Sequence, residues 1–167
     1  LPSLIAAMRT RHRDPEFASR AAMVLKGLGP RRLRPVADYL DSVAEPLPLE
    51  VLVDVVASLE DRPLTYRLRE VIDSLDTRRG SIGGFAGSDP YARVRGKAHL
   101  ALARLGSRVA VGDLKLTLSD PSRGIDPDLL AAAGRIGTRE ELPDLLRAYG
   151  REDAWMRAKI REVFWQI

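Results

Sequence analysis

Apolar residues recur along the chain at helical spacing, most clearly in the last segment. In DAWMRAKIREVFWQI, residues 153–167, one set of apolar residues falls at positions i, i+4, i+7, i+8 and i+11: Met156, Ile160, Val163, Phe164 and Ile167. This spacing places their side chains on one face of a helix. Shorter segments such as VLKGLG, LARLG and AAGRIG carry the same kind of pattern and end alike. The chain is therefore predicted to form many short amphipathic helices.

The ends of these segments repeat at a regular interval. The anchor positions are Gly29, Glu60, Gly106 and Gly137, and successive anchors are separated by 31, 46 and 31 residues. A repeating unit of 31 residues, with 15 extra residues in one interval, explains all three spacings. The extra residues fall in TRRGSIGGFAGSD, residues 77–89, which we expect to form an inserted loop rich in Gly and Ser.

Each unit is predicted to contain two helices. The first begins just after an anchor, and the second begins at an acidic residue or a proline. The expected caps are Asp14, Asp89, Asp126 and Asp153, the prolines at the first helical position are Pro15, Pro90 and Pro127, and the left-handed closing residues are Gly29, Gly106 and Gly137. Residues 109–118 partly alternate as a strand would, but an isolated strand has no pairing partner. We therefore predict a helix there as well.

The composition removes most catalytic chemistry. The 167 residues include no cysteine and only two histidines, which excludes disulfides, thiolate metal sites and cysteine nucleophiles and makes a multi-histidine metal centre improbable. No nucleophile lies in a pattern that supplies it with a base, so we expect no enzyme, no metal and no cofactor. The chain has no apolar run long enough to span a bilayer and no signal-peptide pattern, and we expect a cytoplasmic protein.

Charge is distributed in blocks of alternating sign. Residues 1–35 carry a net charge of +6, residues 36–61 carry −7, residues 62–110 carry +6 and residues 111–167 carry −1, for a total of +4. Such alternation is typical of layered units whose neighbours can pair charges. It fits less well with the uniform basic face that nucleic-acid binding favours.

The segment DPYARVRGKAHLALARLG, residues 89–106, resembles the second helix of a HEAT repeat. The matching positions are Asp89-Pro90, Val94-Arg95, Ala98, Leu102 and Leu105-Gly106, and the resemblance is closest to short bacterial HEAT-like repeats that also occur in phycobilisome lyases. Residues 14–29 match at their ends, Met156-Arg157 resembles Val94-Arg95, and units two and four lack the arginine.

The resemblance implies an all-α fold, a right-handed α-solenoid of about five HEAT-like helix pairs. We expect residues 1–167 to form one repeat domain. Because the chain begins with Leu1 and ends in VFWQI without a polar cap, we also expect it to be a segment of a longer chain.

Basic residues around the expected loop are the strongest candidate contacts for an anion or a partner. They are Arg78, Arg79, Arg93, Arg95 and Lys97, accompanied by Phe85 as an apolar anchor. A second basic run consists of Arg31, Arg32 and Arg34. A flexible solvent-exposed loop and solvated helix faces are the commoner explanation of the same residues, and no nucleotide-binding motif is present.

The sequence thus supports a non-catalytic scaffold that binds another protein, or a domain of the same parent chain, on a concave face lined by the second helices. The alternative is a nucleic-acid-binding solenoid similar to the HEAT-like DNA glycosylases, in which the basic loop residues contact phosphates. A chromophore lyase, by analogy with other owners of these repeats, is the more remote alternative.

Overall fold

The computed structural model describes residues 1–33, 35–59, 61–82 and 89–167, with only the backbone of residues 30, 31, 81 and 82. The described residues are helical and contain no strand, which confirms the all-α prediction. The helices are α1 Pro2–Thr10, α2 Pro15–Gly27, α3 Pro30–Leu33, α4 Val36–Leu40, α5 Pro46–Ser58, α6 Arg62–Ile82, α7 Ala92–Arg104, α8 Val111–Ser119, α9 Pro127–Ile136, α10 Leu142–Arg151 and α11 Ala154–Phe164, with a 3-10 turn at Arg139–Glu141 before α10. Among the described helices, none combines the length and the apolar character needed to cross a membrane.

Three of the predicted caps start helices as expected. The carboxylate of Asp14 accepts a hydrogen bond from the Phe17 amide at 3.0 Å, and that of Asp153 accepts one from the Met156 amide at 2.8 Å. The carboxylate of Asp126 accepts from the Asp128 amide at 2.9 Å. Each bond satisfies an amide that the first helical turn leaves unpaired.

Helix α7 begins later than predicted. It starts at Ala92, so Pro90 lies in a turn and not at the first helical position. The carboxylate of Asp89 accepts a hydrogen bond from the Tyr91 amide at 3.0 Å and also contacts the Arg95 guanidinium at 3.4 Å. Asp89 therefore fixes this turn and ties it to the helix that follows.

The closing glycines behave in two ways. Gly29 and Gly106 have positive φ angles of 75° and 69°, as predicted for residues that end a helix. The prediction is wrong for Gly137, whose φ is −65°. There the Arg108 guanidinium donates to the carbonyl of Ile136 and so caps α9 from outside the helix.

The structure confirms one of two further predictions and contradicts part of the other. Residues 111–119 form helix α8, which confirms the helix prediction; Leu114 and Leu118, one turn apart, are fully buried while Leu116 is exposed. The loop prediction for residues 77–89 is wrong at its start, because α6 continues through residue 82. Residues 83–88 lie outside the described part of the chain.

Helices α2, α5, α7, α9 and α11 pack against one another in chain order. Helix α5 contacts α2 and α7, α7 contacts α9, and α9 contacts α11. The first helices add further contacts, of α4 with α5 and α6, of α6 with α7, and of α8 with α10. Helix α7 separates two apolar clusters: Val94, Ala98 and Leu102 belong to the cluster that reaches back to α1, whereas Ala103 belongs to the cluster that reaches α11.

Candidate interaction groove

A groove of about 290 Å³ is lined by residues of helices α2, α5 and α7. Helix α2 contributes small side chains to it, helix α5 contributes two carboxylates with apolar neighbours, and helix α7 contributes two cations. The lining residues are Pro15, Ala18, Ser19, Ala22, Leu47, Glu50, Val51, Asp54, Arg93 and Lys97. A volume of this size lies at the lower end of the range for small-molecule sites and is sufficient for side chains of a bound segment.

Helical periodicity explains why the charged side chains line the groove. Glu50 and Asp54 are four residues apart on α5, and Arg93 and Lys97 are four residues apart on α7, so each pair shares one face of its helix. Because α5 and α7 pack together, the two rows meet. Arg93 lies 3.1 Å from Glu50, and Lys97 lies 3.6 Å from Asp54.

Burial raises the pKa of Glu50, although the charges of Arg93 and Lys97 oppose the shift. Burial likewise raises the pKa of Asp126, at the start of α9, against the bond from the Asp128 amide and the charges of the same two cations. Both shifts have the same physical cause, since a carboxylate removed from water loses hydration that its neighbours replace only in part. Arg93 and Lys97 therefore stabilise the charged forms of Glu50 and Asp126, and both residues also line the groove.

Two of the predicted contact residues form ion pairs or hydrogen bonds with other residues of the protein. The Arg95 side chain is only 1% exposed, and its guanidinium binds Asp76 at 3.1 Å and Asp113 at 2.9 Å as well as Asp89. Arg78 donates to the carbonyl of Leu40, the last residue of α4, at 2.9 Å and to that of Val43, beyond the helix, at 2.5 Å. Neither guanidinium is presented to a partner in this arrangement.

Arg95 belongs to a partly buried ionic ring that joins α6, α7, α8 and the segment before α9. Arg123, 7% exposed, binds two of the three carboxylates that Arg95 binds: it lies 2.7 Å from Asp113 and also contacts Asp76, which is 51% exposed. His99, 1% exposed, adds a contact of 2.9 Å between its Nε2 atom and Asp113. Burial raises the pKa of Asp113, but the hydrogen bond with His99 and the charges of Arg95 and Arg123 outweigh it and hold this pKa at about 2.

The remaining predicted residues do not gather at one place. Arg79 is half-buried and lies 3.5 Å from the Ser122 hydroxyl, and Arg32 is exposed on α3. The side chain of Arg31 is not described, and Arg34 and Phe85 lie outside the described residues. Of the predicted set, Arg93 and Lys97 alone are among the lining residues of the groove, so a basic anion site built from the whole set does not form in the described part of the chain.

No family model, curated protein or solved structure matches this chain.

Most residues of the groove were not predicted from the sequence. The second helices were predicted to form the binding face, but Ser19, Ala22, Glu50 and Asp54 were not among the predicted contacts. The available signal was a pair of acidic residues four apart in one second helix and a pair of basic residues four apart in the next.

Within the described residues, no cluster of three or more His, Asp or Glu side chains is arranged to hold a metal ion.

Proposed function

We propose that this chain is a right-handed α-solenoid of HEAT-like helix pairs and that it serves as a non-catalytic scaffold. The support for the solenoid is the order of packing, in which α2, α5, α7, α9 and α11 contact one another in sequence. A repeat array packs in this way because each unit buries its apolar face on its neighbours.

The groove across α2, α5 and α7 is the observation that carries the binding role. It lies on three successive second helices, and it combines an apolar side with charged side chains. Concave surfaces with convergent polar groups are the usual binding sites of such folds. We propose that a partner protein, or another domain of a parent chain, binds there.

Nucleic-acid binding is the weaker candidate. A phosphate backbone needs cations that remain available along a continuous path. Here Glu50 and Asp54 alternate with the cations along the groove, so the path of positive charge is interrupted, and Arg95 is buried among carboxylates. A chromophore lyase gains no support either, because a groove of about 290 Å³ with four charged lining residues is not a roomy apolar cavity.

Photo-crosslinking from the groove tests the binding role. A photoreactive amino acid replaces Ser19, an exposed lining residue of α2, and the matched control replaces Arg69, an exposed residue of α6 outside the groove. We expect a covalent protein adduct from position 19 and none from position 69. Adducts formed equally from both positions, or none from position 19, would contradict the proposal.

Hydrogen exchange tests the solenoid. If each helix pair depends only on its neighbours, the free energy of local opening falls toward the ends of the array. We expect amides of α5 and α7 to exchange more slowly than those of α1 and α11. A single opening free energy shared by all helices would favour a fold organised around one common core.

A further inference from the structure

Five side chains of alternating charge, four of which line the groove, form a continuous row of ion pairs, which we call the charge ribbon. Its order is Arg93, Glu50, Lys97, Asp54 and Lys26. The successive distances between charged atoms are 3.1, 3.9, 3.6 and 2.5 Å. The ribbon joins α7, α5 and α2, and both of its ends are cations.

Exposure differs between the two ends of the charge ribbon and its middle, where the Lys97 side chain is only 24% exposed. The end cations are the most accessible members, with 68% of the Arg93 side chain and 41% of the Lys26 side chain exposed. Glu50 is 13% exposed and Asp54 is 35% exposed, and each contacts two cations. A partner that approaches the groove therefore meets positive charge first, at two separated points.

Each end cation retains donors for a partner. Among the described residues, Arg93 makes one ion pair, to Glu50, and Lys26 makes one, to Asp54. Asp126 also attracts Arg93 at longer range, but its Oδ1 atom accepts a hydrogen bond from the Asp128 amide. A guanidinium has five N–H donors and an ammonium has three, so one ion pair leaves most of them for other acceptors.

The α2 side of the groove has a different chemistry. Ala18, Ser19 and Ala22 carry no charge and little bulk, and Val51 and Leu47 of α5 lie beside them. An apolar side chain placed over these residues leaves no buried charge without a partner. The groove thus offers an uncharged surface beside a row of charges that ends in two exposed cations.

We propose that the groove binds an acidic peptide segment of a partner protein, with carboxylates at Arg93 and Lys26 and an apolar side chain over Ala18 and Ala22. This inference rests on the proposed binding role of the groove. A peptide can place neutral residues opposite Glu50 and Asp54. A nucleic acid carries a charge on every phosphate and would set some of them against these two carboxylates.

Selection from a displayed library of random twelve-residue peptides tests the inference. We expect the peptides retained by the wild-type protein to be enriched in Asp and Glu on both sides of an apolar residue. One retained peptide is then labelled, and its affinity is measured by fluorescence anisotropy. Arg93→Glu and Lys26→Glu should each weaken binding by about tenfold or more, because each change replaces an attraction with a repulsion.

Two surface cations provide matched controls. Arg69 is 54% exposed and forms one ion pair along α6, as Arg93 forms one to Glu50. Lys159 is 41% exposed, as Lys26 is, and pairs with Glu162 along α11. Arg69→Glu and Lys159→Glu should leave the affinity within about twofold, since neither residue belongs to the charge ribbon or lines the groove. Circular dichroism of all four variants establishes that the fold is retained.

Several results would overturn the inference. They are an absence of retained peptides, retention of neutral or basic peptides, or an affinity that Arg93→Glu and Lys26→Glu leave unchanged. Binding of a single-stranded oligonucleotide that is lost in Arg93→Glu would instead assign the cations to nucleic acid. A crosslink from position 19 to a protein segment without carboxylates would overturn this inference and leave the scaffold proposal intact. An absence of any groove crosslink would contradict the scaffold proposal itself.

Discussion

The partly buried ionic ring makes a specific prediction about acid stability, through Asp113. Its Oδ1 atom accepts from Arg95 at 2.9 Å and from Arg123 at 2.7 Å, and its Oδ2 atom contacts His99 at 2.9 Å. Asp113→Asn keeps the shape of the side chain and removes the charge. The change leaves two largely buried guanidiniums with one carboxylate fewer between them.

The magnitude follows from the pKa of Asp113. Burial raises this pKa, but the His99 contact and the charges of Arg95 and Arg123 outweigh burial and lower it from 3.8 to about 2. One pKa unit corresponds to about 1.4 kcal/mol, so the charged form contributes roughly 2 kcal/mol after allowance for partial exposure. Because the folded pKa is the lower one, this contribution is complete above about pH 4 and is lost as the pH falls toward 2.

Urea denaturation followed by circular dichroism measures the effect at pH 7, 5, 4, 3 and 2.5. We expect Asp113→Asn to lower the free energy of unfolding by roughly 2 kcal/mol at pH 7 and by progressively less below pH 4. The control Asp73→Asn removes an exposed carboxylate, 3.5 Å from Arg69, and should cost less than about 0.5 kcal/mol. A difference between wild type and Asp113→Asn that stays constant down to pH 2.5, or that equals the control, would refute this reasoning.

The other predictions concern packing, and each is measured by urea denaturation. At Gly96 an added Cβ would lie 2.6 Å from Asp126 Oδ1 and 2.9 Å from its Cβ, so Gly96→Ala should cost about 1–3 kcal/mol. Gly112→Ala has open space and should be neutral or stabilise by up to about 1 kcal/mol; an equal loss in both variants would show that close packing at Gly96 is not the cause. Leu52→Ala, at a fully buried position of α5, should cost about 2–5 kcal/mol, whereas Leu146→Ala, 63% exposed, should stay within about 0.5 kcal/mol. Similar losses at both leucines would contradict the assigned core.

Features fixed by neighbouring residues could be predicted from the sequence. The carboxylates of Asp14, Asp126 and Asp153 bond amides two or three residues away, so the pattern of an acidic residue before an apolar run was sufficient to place them. Gly106 was predictable for the same reason, because its amide and the next one bond carbonyls of α7 within five residues.

Features fixed by distant residues could not be predicted in this way. Arg95 was predicted to contact an anion, but its carboxylate partners include Asp76 and Asp113, which are 19 and 18 residues away. Residues 77–82 were predicted to form a loop from their Gly and Ser content. They are helical, and within that stretch Arg78 reaches carbonyls 35 and 38 residues earlier. Tertiary contacts of this kind override local propensity.

The groove combines both cases. Periodicity predicts that Arg93 and Lys97 share a helix face, and the repeat predicts which helices line the binding surface. The pairing with Glu50 and Asp54 depends on how α5 and α7 are aligned, which neither helix encodes alone. The sequence therefore indicated the helices of the site and left the charge pattern undetermined.

Titration of the isotopically labelled protein with a peptide retained from the displayed library, followed by amide NMR, tests the central claim most directly. If the second helices form the binding surface, shifts will concentrate on groove residues of three helices, such as Ser19, Val51 and Lys97. The alternative surface is the exposed side of α11, where Trp155 is 56% and Trp165 is 90% exposed. Shifts confined to α11, with α2, α5 and α7 unchanged, would contradict the account.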